Sequence, residues 1–355
     1  MPIELNDWRR VHGAPPASDV LRQVPQDFQV EEQLGFEPEG KGQHHFLFIE
    51  KTNLNTVEVA RALARFARVP ERDVGYCGMK DRRAVTRQWF SVCLPELSEP
   101  DWNQLSNESM RLLQATRHQR KLRRGVHRGN HFSLRIRSLA GERDELESRL
   151  QAVCSQGVPN YFGAQRFGRD GTNIDRVLEW MRGDAKKPGR HQRGILLSSL
   201  RALLFNQLLD ARIEQGTWAV PQVGDLCRLK GSNSQFMVES VDEETLVRAA
   251  DGDIDPALPL WGKGTPECSA RVWEGYKAQL AGQLAECEFL ERQGLRLDWR
   301  STRLFPDDFC WQFCEDAVLE LRFSLPAGGF ATSVVRELLN AEEQYRAENN
   351  MIGSD

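Results

Sequence analysis

The sequence predicts an α+β protein, with a mixed, mainly antiparallel sheet flanked by helices and a second α/β domain inserted into the first. Apolar and polar residues alternate at 132–137 and 318–325, which is the pattern of strands with one buried face. Stretches with helical spacing of apolar residues lie between such segments. The 355 residues also exceed one ordinary core of about 100 to 200 residues, so we expect two domains.

The N-terminal part of the chain predicts strands followed by a helix. The range 27–50 begins with alternating polar and apolar residues and ends in the apolar run 46–49, which predicts a hairpin. Asn55 then provides a helix cap with Glu58 three residues further on, and apolar residues recur at helical spacing until Pro70. We expect this helix to pack on the sheet.

A further strand and helix follow before the middle of the chain. The alternation over 132–137 predicts a strand whose polar face carries two arginines. A helix is expected over 142–156, because Gly157 and Pro159 follow it and residues of these types end helices. This helix end is the first candidate domain boundary.

The range 160–305 differs in character from what precedes it. Its segment 182–193 is basic and loop-like, whereas the apolar run 195–213 predicts a buried helix. The range 216–265 is rich in glycine, proline and acidic residues, and 269–293 predicts one long helix. We interpret this region as an inserted domain.

The sequence predicts a further strand near the C-terminus. The alternation over 318–325 precedes a helix predicted at 332–346. We expect the late strand to rejoin the first sheet. The ranges 1–159 and 306–355 would then form one discontinuous domain around the insertion 160–305.

Composition indicates a globular protein of the cytoplasm. Apolar residues make up 40% and charged residues 28% of the chain. The N-terminal segment lacks the apolar core of a signal peptide, and no uncharged apolar run is long enough to cross a bilayer. We therefore expect cytoplasmic localisation and no membrane partner. The eight cysteines lack CxxC spacing, and Cys310 and Cys314 have no second pair to complete a zinc site, so no metal is expected.

The distribution of charge along the chain is more informative than the net charge. A net charge of −4 argues, taken alone, against a nucleic-acid-binding protein. The range 109–141, however, contains nine basic residues and no acidic one. This segment provides a local positive field that attracts phosphate.

One carboxylate lies within a dense group of cations. Asp81 is surrounded in sequence by four of them, namely Lys80, Arg82, Arg83 and Arg87. Neighbouring cations favour the ionised form of a carboxylate. A solvated charged turn is the ordinary explanation of such a cluster.

Several short sequence blocks are similar to those of a known protein family, and this resemblance changes the interpretation of Asp81. In chain order they are DFQVEE at 27–32, NLNT at 53–56, GMKD at 78–81, AVT at 84–86, RGNHF at 128–132, PNYFGAQRFG at 159–168, ALLFN at 202–206 and LPAGGFATS at 325–333. With these blocks the sequence resembles the TruD family of tRNA pseudouridine synthases. The blocks occur in the family's order and cover most of the chain, although 216–265 has no distinctive motif.

The resemblance implies the pseudouridine synthase catalytic core and an isomerase that needs no cofactor. The N-glycosidic bond of a uridine is broken, the base turns, and it reattaches through carbon; the expected target is uridine 13 in the D arm of tRNA. Asp81 matches the aspartate shared by pseudouridine synthases, and Lys80 would support its ionised form. The carboxylate could attack the sugar, attack the base or take a proton from C2′, and the sequence leaves these routes open.

The resemblance also implies substrate-binding residues. Phe28, Phe132 and Phe330 would line the uridine pocket, where aromatic rings replace the stacking that a flipped base loses, and Asn130 would contact the target nucleotide. A buried packing role is the ordinary explanation of each phenylalanine. Phosphate contacts of the tRNA are expected from basic residues of one segment, namely Arg117, Arg120, Lys121, Arg123, Arg124 and Arg128. No obligate protein partner is evident, and the oligomeric state stays open.

Three other functions fit the same residues less well. A noncatalytic RNA-binding or RNA-folding protein would bind phosphate better without a carboxylate at Asp81. A zinc-dependent deaminase lacks its HxE and PCxxC signature here. A nucleotide-dependent enzyme would need a phosphate loop, and GxxxxGK[ST] is absent. Asp170 after Arg169 resembles the Arg-Asp pair of other pseudouridine synthases, but the TruD resemblance assigns catalysis to Asp81.

Overall fold

The computed structural model describes residues 8–21, 23–94, 100–232, 234–314 and 317–340. The strands in these ranges are β1 (Ala17–Leu21), β2 (Phe28–Gln33), β3 (His44–Thr52), β4 (Val74–Tyr76), β5 (Val85–Cys93), β6 (Met110–His118), β7 (Gly129–Gly141), β8 (Val158–Pro159), β9 (Leu226–Leu229), β10 (Gln235–Met237), β11 (Ile254–Leu260), β12 (Asp298–Ser301), β13 (Arg303–Leu304), β14 (Asp307–Cys314) and β15 (Val318–Pro326). The α-helices are α1 (Thr56–Ala67), α2 (Arg143–Gln156), α3 (Thr172–Arg182), α4 (Arg190–Glu214), α5 (Glu243–Ala250), α6 (Ala270–Gln279), α7 (Leu284–Arg292) and α8 (Ala331–Leu338). None of these helices combines the length and apolar character needed to span a bilayer.

The chain forms two compact units. The sheet unit contains the described residues within 16–146, 306–331 and 339–340, and the helical unit contains those within 8–15, 147–305 and 332–338. The domain division predicted from the sequence stays a prediction.

A large mixed sheet dominates the sheet unit. Its strand order is β14-β15-β7-β2-β5-β3-β6, with β1 also paired to β7 and β4 also paired to β5. Only the β2–β5 pair is parallel among the strand pairs that the structure describes in this sheet. The α+β class with a mainly antiparallel sheet is therefore confirmed, and β15 rejoins the first sheet as expected.

The hairpin predicted over 27–50 is wrong. Strand β5 lies between β2 and β3, pairing parallel with β2 and antiparallel with β3. The ten residues 34–43 that separate β2 from β3 exceed the two to five residues typical of a hairpin loop. Alternation along each strand indicates which face is buried, but it does not indicate which strand lies beside it.

Helix α1 begins as its sequence predicts. The Asn55 backbone N–H donates to Glu58 Oε2 at 2.6 Å, which is one half of a capping box. The apolar face of the helix, including Val59 and Leu63, packs in one core with Leu47 of β3. This packing covers the sheet beside the residues that surround Asp81.

The helical unit combines a small sheet with the long buried helix α4. Strands β10-β9-β11-β12 form the sheet, β8 pairs with β13, and α4 confirms the buried helix predicted over 195–213. The single helix predicted over 269–293 is wrong, because a 3-10 turn at Ala281–Gln283 separates α6 from α7. Gly282 lies in this turn, and glycine weakens a helix interior. Of the helix predicted at 332–346, α8 ends at Leu338, and 341–346 lie outside the described residues.

Candidate active site

Four polar side chains share one face of the central strands. Directly opposed residues of paired strands project from the same side of a sheet. Glu32 of β2 lies opposite Asn130 of β7. Thr86 of β5 lies opposite both Lys51 of β3 and Val30 of β2. Because Val30 and Glu32 are two residues apart on one strand, all four polar residues project from this face.

The loop between β4 and β5 carries Asp81, and buried side chains hold its backbone. Gln88 Nε2 donates to the Gly78 carbonyl oxygen at 2.6 Å. Thr56 Oγ1 accepts a hydrogen bond from the Lys80 backbone N–H at 2.9 Å and donates to Gln88 Oε1 at 3.1 Å. Since Thr56 and Gln88 are fully buried, the loop leading to Asp81 is tied to the first turn of α1 and to β5.

Lys51 is a buried cation bound to the same loop. Its side-chain Nζ donates to the backbone oxygen of Asp81 at 2.8 Å and to that of Leu54 at 2.7 Å. The residue is only 1% exposed. Burial lowers the pKa of Lys51 to about 8, against the attraction of the Asp81 carboxylate. Lys51 is therefore mainly protonated at neutral pH and places a positive charge beside Asp81.

Lys51 was not among the residues predicted from the sequence, although its position in β3 is unusual. Leu47, Ile49 and Lys51 occupy alternate positions of β3, and the first two are buried core residues. A lysine that continues a buried stripe is rare, because a buried charge is costly unless it has partners. Glu32, Thr56 and Gln88 were also missed, because their roles depend on contacts with distant segments of the chain.

Lys80 forms a buried ion pair with Glu32. Its Nζ lies 2.7 Å from Glu32 Oε2, and the side chains are 5% and 0% exposed. Glu32 Oε1 also accepts a hydrogen bond from the Trp89 backbone N–H at 3.2 Å. This pair fixes the residue immediately before Asp81, and the expected support of the Asp81 carboxylate by Lys80 stays a prediction.

Glu32 also belongs to a cluster with Cys77 and His127. The potential ligand atoms of these three residues lie within 4.8 Å of one another. Burial raises the pKa of Cys77 to about 12, and burial together with the charge of Lys80 lowers the pKa of His127. A protonated thiol and a carboxylate already paired with an ammonium are poor ligands, so the cluster fits a buried polar network better than a metal site.

Two of the predicted pocket phenylalanines lie together. The rings of Phe28 and Phe132 meet edge to face with centroids 6.2 Å apart, and Phe132 stacks on Phe323 at 5.4 Å. Phe28 and Phe132 are both buried. These contacts give the rings a packing role, and their contact with a uridine stays a prediction.

Asn130 presents a buried polar atom to this region. The residue is 8% exposed, and its Oδ1 makes no hydrogen bond with any residue that the structure describes. The preceding Gly129 permits the close strand pairing here, because a Cβ atom would lie 2.3 Å from the Leu325 carbonyl oxygen. A buried acceptor without a partner is costly unless a ligand satisfies it.

Phe330 lies in the segment between β15 and α8. It is partly buried, and the turn before it is tied to the start of β7 by a hydrogen bond from the Ala327 N–H to the Arg128 carbonyl oxygen at 2.9 Å. The segment is thus fixed beside the strand that carries Asn130. Contact between Phe330 and a substrate stays a prediction.

The basic loop between β6 and β7 is joined to the segment that precedes Asp81. The Gly125 N–H donates to the Cys77 carbonyl oxygen at 2.9 Å, and Leu122 is buried with its N–H on Ser91 Oγ. Four of the predicted phosphate contacts are exposed, namely Arg120, Arg123, Arg124 and Arg128. Arg117 and Lys121 are partly buried, and the Lys121 ammonium donates to the Arg72 carbonyl oxygen.

Comparisons with known proteins match nearly the whole chain to one protein family. The family model described as tRNA pseudouridine synthase D (TruD) matches residues 9–188 and 185–338. The chain is 46% identical over 339 residues to tRNA pseudouridine synthase D of Aeromonas salmonicida (strain A449), covering 96% of each protein. It is 44% identical over 341 residues to that of Methylococcus capsulatus, again covering 96% of each. A Methanosarcina mazei crystal structure described as TruD matches with a TM-score of 0.65 and 19% identity over 94% of each chain.

The structural match and the mixed sheet define the fold as that of the TruD-type pseudouridine synthases. At 19% identity this match shows the fold alone. The family model and the relatives go further, and the chain belongs to the tRNA pseudouridine synthase D (TruD) family. The resemblance identified in the sequence is confirmed.

Proposed function

We propose that this chain isomerises uridine 13 of tRNA to pseudouridine, with Asp81 as the catalytic carboxylate. The observation that carries the proposal is the fixed position of Asp81, whose backbone oxygen binds the buried ammonium of Lys51. Relatives named tRNA pseudouridine synthase D support the substrate and the reaction. The assignment of position 13 rests on the resemblance in sequence.

The proposed reaction rearranges one nucleotide. The C1′–N1 bond breaks, a C1′–C5 bond forms, N1 gains a proton and C5 loses one, so atoms and electrons balance without a cofactor. Asp81 could attack the sugar, attack the base or remove a proton from C2′. Each route requires an oriented carboxylate, and Lys51 helps to position Asp81 through its hydrogen bond to the Asp81 backbone oxygen.

The neighbouring residues would receive the nucleotide. A uridine inside folded RNA must leave its stack before it reaches a carboxylate. Phe28, Phe132 and Phe330 would provide aromatic surface, and Asn130 Oδ1 would accept a hydrogen bond from the uridine. The basic loop would hold the adjacent backbone through phosphate contacts, which position RNA without reading its sequence.

The direct test uses purified protein and an unmodified tRNA transcript, without added metal or cofactor, followed by detection of pseudouridine at single-nucleotide resolution. We expect modification at uridine 13 and none in a transcript with cytidine at that position. Modification elsewhere would correct the position, whereas binding without any modification would favour a noncatalytic RNA-binding protein.

The double substitution of Arg123 and Arg124 by alanine should weaken tRNA binding. It should also lower the slope of log Kd against log salt concentration by about one to two, because two phosphate contacts are lost. The matched control replaces Arg61 and Arg65 of α1, which are also exposed in the sheet unit. Kd would be measured between about 50 and 200 mM salt. An unchanged slope in the Arg123 and Arg124 variant would remove both residues from the RNA surface.

Replacing Asn130 with alanine should lower activity without lowering stability. The side chain leaves Oδ1 without a hydrogen bond among the residues described here, so its removal costs the folded protein little. We expect pseudouridine formation to fall by about 10-fold or more, equivalent to one lost hydrogen bond to substrate. A wild-type rate would exclude substrate contact, and a large drop in Tm would show that Asn130 supports the fold instead.

A further inference from the structure

Glu32 carries a buried carboxylate that several segments of the sheet unit approach. Its side chain is 0% exposed, and Oε2 lies 2.7 Å from the ammonium of Lys80 in the Asp81 loop, which is the loop 77–84 between β4 and β5. Glu32 Oε1 accepts a hydrogen bond from the Trp89 N–H of β5 at 3.2 Å. The two oxygens of one carboxylate therefore join β2 to the neighbouring strand and to the loop that carries Asp81.

The end of the basic loop also lies close to this carboxylate. A ring nitrogen of His127, the Cys77 thiol and a Glu32 oxygen lie within 4.8 Å of one another. A Cβ atom added to Gly78 would lie 3.7 Å from His127 Cε1 and 3.8 Å from Lys80 Nζ, so both side chains approach the backbone of the Asp81 loop. Glu32 thus lies where the Asp81 loop and the basic loop meet.

Stability of the fold does not account for a charged residue at this position. Phe28 and Val30, which precede Glu32 on the same face of β2, are buried apolar residues. Desolvation offsets most of the attraction within a buried ion pair, and replacing such a pair by apolar residues of similar volume is often neutral or stabilising. A carboxylate that continues this buried stripe therefore indicates a role other than packing.

The contacts of Glu32 bear on the position of Asp81. Lys80 is held at both ends, because its backbone N–H donates to Thr56 Oγ1 at 2.9 Å and its ammonium binds Glu32 at 2.7 Å. Since Lys80 directly precedes Asp81, these two contacts restrict the backbone that orients the Asp81 side chain. Glu32 also lies opposite Asn130 in the β2–β7 pair. The carboxylate thereby ties the Asp81 loop to the strands that carry the proposed nucleotide contact.

We propose that Glu32 is a positioning residue, which holds the Asp81 loop in its reactive geometry by binding Lys80. The inference rests on the proposed function, because it takes Asp81 as the catalytic carboxylate. Glu32 would act through Lys80 and not by touching the uridine, since its own side chain is fully buried. A misplacement of about 1 Å can cost about 10²-fold in rate, so loss of this contact should slow the reaction more than it weakens tRNA binding.

The test compares Glu32→Gln with Glu31→Gln as a matched control. Glutamine keeps an oxygen that can accept from the Trp89 N–H but removes the charge that holds Lys80. Glu31 is the adjacent residue, projects from the opposite face of β2 and pairs with Arg87 at a half-exposed position. With enzyme in excess and saturating for an unmodified tRNA transcript, we expect the single-turnover rate constant of Glu32→Gln to fall by about 10-fold or more while Kd changes less than about 2-fold. Glu31→Gln should keep both wild-type values.

A double-mutant cycle with Lys80→Met separates positioning from a purely structural role. The rate constant at saturation does not depend on the fraction of folded enzyme, so lower stability alone would leave it unchanged. If Glu32 acts through Lys80, Glu32→Gln should change this rate constant less than about 2-fold in the Lys80→Met background, because the contact is already lost. Losses of equal size in both backgrounds would show that Glu32 acts independently of Lys80 and would overturn the proposal.

Tm measurements identify variants that do not fold. If Glu32→Gln does not fold, the double variant with Lys80→Met is decisive, since it leaves neither charge unpaired. In that folded variant, a rate constant lowered about 10-fold supports the proposal, and a wild-type rate constant refutes it. If the wild type makes pseudouridine and folded Glu32→Gln does so equally fast, only the positioning role fails. A wild type that binds tRNA without modifying it would refute the proposed function, and the positioning role with it.

Discussion

Asp81→Asn should reduce pseudouridine formation by at least about 10²-fold, because asparagine can neither attack as a nucleophile nor accept a proton as a base. The loop should survive the change. Three backbone bonds hold it, namely those from Lys51 to the Asp81 backbone oxygen, from Gln88 to the Gly78 carbonyl oxygen and from the Lys80 N–H to Thr56. These three bonds do not use the Asp81 carboxylate, and asparagine has almost the same shape as aspartate, so tRNA binding and Tm should stay close to the wild type.

The rate constant would be measured under single-turnover conditions with enzyme in excess over an unmodified tRNA transcript. Asp251→Asn is a matched control, since it makes the same chemical change at an exposed position of the helical unit. An Asp81→Asn enzyme with the wild-type rate constant would exclude Asp81 as the catalytic carboxylate. An inactive variant that had also lost tRNA binding would indicate a damaged fold and would call for Asp81→Glu.

Local elements of this protein could be predicted because their signals lie close together in sequence. The Asn55 and Glu58 pair defines the start of α1, and an apolar run defines α4. The placement of β5 between β2 and β3 could not be predicted, because parallel pairing depends on contacts between distant segments. The break between α6 and α7 was missed because one glycine weakens a helix without always ending it.

The candidate site shows the same division between local and distant information. Asp81 could be identified because a block of neighbouring residues marks it. The buried stripe of β3 marks Lys51 as unusual, but the roles of Lys51 and Glu32 could not be predicted. Each acts through a partner in another segment: Lys51 through the backbone of the Asp81 loop, and Glu32 through Lys80. Strand pairing places these residues on one face, and a single sequence does not specify that pairing.

Lys51→Met should lower the rate constant for pseudouridine formation by about 10- to 10²-fold with little change in the Kd for tRNA. Methionine fills a similar volume but removes the donor that binds the backbone oxygens of Asp81 and Leu54, together with the positive charge beside Asp81. Lys263→Met makes the same change at an exposed position of the helical unit and should have no effect. A wild-type rate constant in Lys51→Met would exclude a positioning role.

The pH dependence of the wild type gives an independent test of Lys51. Because its pKa is about 8, we expect the rate constant to fall as the pH rises through that value and the ammonium loses its proton. Stability should change in the opposite direction. The unfolded chain binds this proton more tightly, with an ordinary pKa of 10.5, so the contribution of Lys51 to the free energy of unfolding rises between about pH 8 and 10.5. Loss of activity above pH 8 without loss of Tm would therefore indicate deprotonation at the site, and Lys51→Met should lack that decline. A wild-type rate constant that stays level through this range would show that the charge of Lys51 is not required.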